Sequence, residues 1–151
     1  MTGHPLRAIE IEVDLPAPPE VVWRSLTTPD GVAAWWWDHW DDVRIAVDAR
    51  PGGAYRFAAP GAGIAVSGRY LTVDAPHRLA FTWVWEDDDG STRDESCDLH
   101  LTEAPTGCRL SLRHTGPWPD ETPGEDYREG WLFTLGRLQT ILSALRRPGS
   151  L

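Results

Sequence analysis

The chain contains no lysine: its fourteen basic residues are all arginine, set against 23 acidic ones, for a formal net charge of -9. Phosphate neutralisation needs basic groups, so this balance disfavours a nucleic-acid partner and also an anionic membrane surface. The exclusive use of arginine points to GC-rich coding and a bacterial source. Cysteine is scarce, with only Cys97 and Cys108. They flank a hairpin loop around Ala104-Pro105-Thr106-Gly107, which sets Leu101 near Cys108 and Cys97 near Leu112. That is too far apart for a disulfide, so two free, buried, inert thiols are expected, in keeping with a reducing cytoplasm. Long apolar runs are missing too. Near the N-terminus Ile9, Ile11, Val13 and Leu15 alternate with Glu10, Glu12 and Asp14, which excludes an apolar leader or a spanning helix there. The expected location is cytoplasmic. No G-x-S-x-G, Walker, C-x-x-C or H-E-x-x-H motif occurs. Adjacent positions such as Asp38-His39-Trp40-Asp41-Asp42 seldom converge on one ion, so neither a metal nor a cofactor is expected.

What the chain does have is tryptophan, nine in 151 residues, and a clear change of period. From about Arg44 to Arg113 apolar and polar residues alternate, as in half-buried strands. From Trp131 the apolar positions fall at Leu135, Leu138, Leu142 and Leu145, widened by Thr134 and Ile141, one face of a long helix. The spacing predicts a first strand over 6–15. A helix opens at Ala17-Pro18-Pro19-Glu20, with Val22, Trp23 and Leu26 on its buried side. A second short helix is capped by Thr28 and runs into Trp35-Trp36-Trp37. Six strands follow at about 43–48, 53–59, 63–74, 78–86, 94–103 and 107–115. The run Glu86-Asp87-Asp88-Asp89-Gly90 reads as a hairpin loop. Thr122-Pro123-Gly124-Glu125 reads as a capping box for the last helix, and 146–151 as a disordered tail. The length suits one domain, 1–151. The expected class is α+β: about seven antiparallel strands covered by the long C-terminal helix, with two short helices after the first strand.

Strand parity then selects candidates. Leu79, Phe81, Trp83 and Trp85 share a face, as do Tyr55 and Phe57, and as do Cys108, Leu110, Leu112 and His114; each apolar set should face the helix. His100 falls on the polar face and should be solvent-exposed. His114, at the end of its strand, is the polar group best placed inside. A cavity between sheet and helix is expected to be lined by Tyr55, Phe57, Tyr70, Phe81, Trp83 and Trp85. Leu112 and His114 of the last strand and Trp131 and Leu135 of the helix complete it, with Trp36, Trp40 and Trp118 at its mouth. Gly136 suggests a close approach or bend in the helix, because mid-helix glycine costs roughly 1 kcal/mol. Glu86 and Glu129 read as solvated rim residues.

The ordered set Ala17-Pro18-Pro19-Glu20-Val21-Val22-Trp23, Trp35-Trp36, Pro51-Gly52-Gly53-Ala54-Tyr55, Gly68, Leu79-Ala80-Phe81-Thr82-Trp83, Leu110-Ser111-Leu112-Arg113-His114 and Gly130-Trp131 resembles the SRPBCC (START-like) superfamily. More narrowly it resembles the branch of homologues of the activator of the 90-kilodalton heat-shock protein ATPase. The resemblance covers about residues 7–145 and implies the helix-grip fold with a hydrophobic cavity. It transfers no catalytic residue, because no cyclase motif matches position by position. Binding of a small hydrophobic or aromatic molecule is the leading expectation. The alternatives are a cyclase- or dehydratase-like enzyme with His114 as general acid or base, and a cochaperone-like interaction domain with a protein partner or a homodimer. The Trp35–Trp40 cluster would supply that domain's exposed apolar patch. Trp118, held between Pro117 and Pro119, is expected to close the pocket beside Trp36 or Trp40.

Overall fold

In the computed structural model, which describes residues 5–146, the elements run in the order the periodicity demands. They are β1 (Arg7–Leu15), α1 (Pro19–Thr27), α2 (Pro29–Ala33), β2 (Arg44–Val47), β3 (Ala54–Ala59), a 3-10 turn (Pro60–Ala62), β4 (Ile64–Asp74), β5 (Arg78–Asp87), β6 (Gly90–Ser91), β7 (Glu95–Ala104), β8 (Gly107–Gly116) and α3 (Thr122–Arg146). The strands form one antiparallel sheet in the order β1-β8-β7-β5-β4-β3-β2, with β6 paired to β5. The described residues therefore hold eight strands rather than seven. The extra one is a two-residue ladder, Glu86 with Ser91 and Asp87 with Gly90, inside what reads in sequence as a loop. Of the tail expected at 146–151, only the helical backbone of Arg146 belongs to the described residues.

β1 illustrates why alternation becomes a sheet with two faces. Ile9, Ile11 and Leu15 are buried. On the other face Glu10 pairs with Arg113 and Asp14 with Arg109, both on the neighbouring β8. Such exposed pairs contribute little; the buried row fixes the register. At the centre, the Tyr55 hydroxyl donates to the carbonyl of Thr82 at 2.6 Å. Gly68 is the cross-strand partner of Tyr55 on β4, and a Cβ there would overlap that same carbonyl. Glycine is what lets the tyrosine reach across to β5.

α3 lays Trp131, Thr134, Leu135, Leu138 and Leu142 onto the inner face, all buried. Leu145 departs from the expected stripe: it is 75% exposed. Two further bonds fasten the helix to β1: Arg128 donates to the Glu10 carbonyl at 3.0 Å and Gln139 to the Asp14 carbonyl at 2.8 Å. The helix also starts differently from the capping-box reading. The Thr122 N–H donates to Asp120 Oδ1 at 2.8 Å, so Asp120 supplies the cap and Thr122 is already helical. Gly136 needs no close neighbour, since a Cβ there would meet open space.

The short helices bring the tryptophan segment in. Thr28 caps α2 as expected, its Oγ1 accepting from the Gly31 N–H at 3.0 Å. α2 stops at Ala33 instead of running on; Trp37 then takes a left-handed φ of 51°. That turn drives Trp35, Trp36 and Trp37 all inward, where each is buried. A bidentate pair between Asp38 and Arg137 of α3, 2.8 Å at the shorter contact, locks the segment over the helix. Of the Trp35–Trp40 cluster expected to leave an indole exposed, Trp35, Trp36 and Trp37 are buried and Trp40 is half-buried. The large apolar side chains that do stand out nearby are Leu132 and Phe133 on the outer face of α3.

Candidate functional site

The aromatic side chains inside the grip pack against one another. Trp36 sits among Trp35, Trp37, Phe57, Trp83 and Trp131 at ring distances of 5.2 to 6.3 Å. Tyr55 bridges Phe57, Tyr70 and Phe81 at 5.2 to 5.5 Å. The void left between sheet and helix here is about 30 Å³, room for about one or two waters. Tyr55, Phe57, Tyr70 and Phe81 border that small void and serve as core. Leu112 and Leu135 are buried in the same core.

A much larger cavity, about 490 Å³, opens at the end of the grip where α3 begins. Six of the nine tryptophans line it: Trp36, Trp37, Trp83, Trp85, Trp118 and Trp131. Tyr127, Pro123, Gly130 and Thr134 complete its helix wall, and Thr92, Glu95 and Asp126 bring polar groups. The size falls in the usual range for a small-molecule site, and so does the composition, apolar with a few polar groups.

Of the candidates read from sequence, Trp36, Trp83, Trp85, Trp118 and Trp131 meet at this cavity. Trp40 stays outside, half-buried against Trp37 and His39. His114 is fully buried and stands one layer behind the wall, with both ring nitrogens engaged. The Trp131 indole N–H donates to Nδ1 at 3.1 Å. An indole only donates, so Nδ1 keeps its lone pair and the proton sits on Nε2. Nε2 in turn donates to Glu95 Oε1 at 2.8 Å. Burial adds to the same effect by pushing the His114 pKa below its ordinary value, against the opposing pull of Glu95. A ring held neutral, with no free lone pair, is not placed to act as a general base on a cavity ligand.

Glu95 is the polar group that sequence reading passed over. It is 5% exposed, and its other oxygen accepts from the Tyr127 hydroxyl at 3.3 Å. The signal was available: Glu95 has the parity of Cys97, Leu99 and Leu101, the inward set of β7. Tyr127 was also legible, four residues before Trp131 on the same helix face. Three indole N–H groups of the site region, on Trp36, Trp83 and Trp118, are buried without a hydrogen-bond partner. Glu86 belongs to the outer face, paired with Arg56 at 2.7 Å, and Glu129 is exposed.

Trp118 lies against His114 and Tyr127, at 5.6 and 5.8 Å, rather than beside Trp36 or Trp40 as expected. It is wedged where two glycines make room. A Cβ on Gly116 would overlap its Nε1, and one on Gly124 would come within 3.0 Å of its Cζ3. The Arg7 guanidinium donates to its carbonyl at 3.2 Å. The cysteines are buried and unbridged as expected, but in a register two residues from the expected one: Cys97 pairs with His114, and Leu101 with Leu110. Burial pushes the Cys108 thiol up to about 11 and Cys97 well above its ordinary value, so neither is a nucleophile.

An antiparallel sheet gripping a long C-terminal helix, with an aromatic cavity at one end, defines a helix-grip protein. The chain belongs to the family described as Activator of Hsp90 ATPase homolog 1-like protein, matched over residues 16–143. No curated protein matches it significantly. Among solved structures it is similar to protein CV1439 from Chromobacterium violaceum, at 29% identity and TM-score 0.71, covering 89% of this chain and 96% of that one. It is also similar to CalU16 from Micromonospora echinospora, at 28% identity and TM-score 0.69, covering 91% and 77%. DynU16, a protein of the dynemicin biosynthetic locus, shares the fold at 23% identity and TM-score 0.74, over 90% of this chain and 47% of that one. Among the described residues no helix is long and apolar enough to cross a membrane.

Proposed function

We propose that the protein binds a small, largely apolar or aromatic molecule in the cavity at the start of α3. The observation that carries this reading is the concentration of six tryptophans around about 490 Å³ of open space, while the core beside it is packed to about 30 Å³. Interiors normally close around their aromatic side chains. A space of this size, walled by indoles with Glu95 buried among them and Thr92 and Asp126 beside it, suits a ligand with a flat apolar body and a polar end. The enzymatic alternative finds less support, since both nitrogens of His114 are occupied.

The test is a titration with the neutral hydrophobic dye N-phenyl-1-naphthylamine, followed by quenching of tryptophan emission and by dye fluorescence. Saturable one-site binding is expected, weakened by about tenfold, or about 1.4 kcal/mol, in Trp85→Leu. Trp85 is only partly buried, so this variant should fold. Absence of saturable binding by the wild-type protein, for this dye and for small charged and uncharged aromatic probes alike, would end the reading.

A further inference from the structure

We propose that the natural ligand is an organic cation, an amine or quaternary ammonium on an apolar or aromatic body, seated with its charge between Glu95 and the indole wall; this rests on the ligand-binding reading above. The first reason is the charge inventory of the cavity. Its charged lining residues are Glu95 and Asp126, and no arginine or histidine lines it. An anionic ligand would meet two carboxylates and no counter-charge.

The second reason is that Glu95 is a buried carboxylate whose partners are all neutral. Among the described residues its one ion-pair contact is His114, 2.8 Å away. Because the Trp131 N–H fills Nδ1, that ring gives Glu95 a hydrogen bond but no positive charge. The Tyr127 hydroxyl gives it another neutral donor. A buried charge is expensive unless an opposite charge meets it. A ligand cation would supply that charge, and the carboxylate would in turn offset the cation's own desolvation.

The third reason is the wall itself. The face of an indole carries negative potential and is the best of the aromatic surfaces for holding a cation. Six tryptophans and a tyrosine around one carboxylate form such a surface. Tertiary and quaternary ammonium groups, which carry apolar substituents, suit it better than a bare ammonium. Asp126, exposed at the rim, and the net charge of -9 would draw cations toward the mouth.

The experiment compares phenyltrimethylammonium with its uncharged isostere tert-butylbenzene and with benzenesulfonate, by tryptophan-fluorescence titration of the intact protein. The cation is expected to bind at least about tenfold more tightly than the isostere, with benzenesulfonate weakest. In Glu95→Gln that preference should collapse toward unity while tert-butylbenzene affinity is retained. Equal or tighter binding of tert-butylbenzene by the wild type would overturn the proposal, as would an undiminished preference in folded Glu95→Gln. Should Glu95→Gln fail to fold, the wild-type ratio still decides, and Asp126→Asn should reduce the cation's on-rate. Binding of tert-butylbenzene or the neutral dye without the cation would sink the cation inference alone. Failure of every probe would remove the ligand-binding reading with it.

Discussion

His114 draws its character from residues far along the chain. Trp131 and Glu95 lie 17 and 19 positions away, and together they hold the imidazole neutral. Glu95 and Cys97 of β7 and Tyr127 of α3 are the titratable groups facing the ring, and Cys97 stays a neutral thiol. Burial depresses the pKa of His114 in the folded state. As the pH falls below about 6.5, the unfolded chain therefore takes up a proton that the folded one resists. The contribution of His114 is complete above that pH and is lost below it. We expect the unfolding free energy, measured by urea denaturation, to fall between about pH 6.5 and 5. The slope should be shallower in His114→Gln. The inward placement of His114 was legible from strand parity alone. Its tautomer was not, because tautomer depends on contacts that only the fold creates.

At the scale of elements, the loop after β8 and the two ends of α3 behave differently from their sequence patterns. Trp118 is packing material first, wedged against Gly116 and Gly124. Gly116→Ala should destabilise by about 1–3 kcal/mol, because a rigid indole cannot yield to the new methyl. Trp118→Ala should cost about 3–5 kcal/mol. For a chain of this length each kcal/mol moves the melting temperature by about 2–4 °C. A Trp118→Ala protein that melts like the wild type but exchanges ligand faster would instead restore the gate reading. Gly136→Ala works the other way. With open space at its Cβ position, it should stabilise α3 by up to about 1 kcal/mol. Helix and strand bounds were readable to within about two residues, since periods of 3.6 and 2 are local properties. The failures were local competitions. Asp120 outbid Thr122 for the cap. α2 ended at Ala33, and the chain beyond it turned at Trp37 with a positive φ. Leu145 kept the helical period yet stands 75% exposed.

For the whole molecule, the aromatic content pointed to a cavity but not to where it would open. Sequence parity placed Tyr55, Phe57, Phe81 and Trp83 on one face, and the fold packs most of that set shut. The space appears instead where five segments meet: the Trp36–Trp37 turn, the end of β5, the chain from Thr92 into the start of β7, the loop carrying Trp118 and the first turns of α3. No local period reports a junction of that kind. Gly130 offers the direct probe of it. It lines the cavity, and a Cβ there would meet no atom within 4 Å, so a larger side chain can enter the space without disturbing the core. The deciding measurement is calorimetric titration of N-phenyl-1-naphthylamine into wild type and Gly130→Leu, with melting curves recorded in parallel. Affinity should drop by about tenfold or more in the variant while its melting temperature stays equal or rises. Unchanged affinity in a folded Gly130→Leu protein would mean that the ligand does not sit in this cavity.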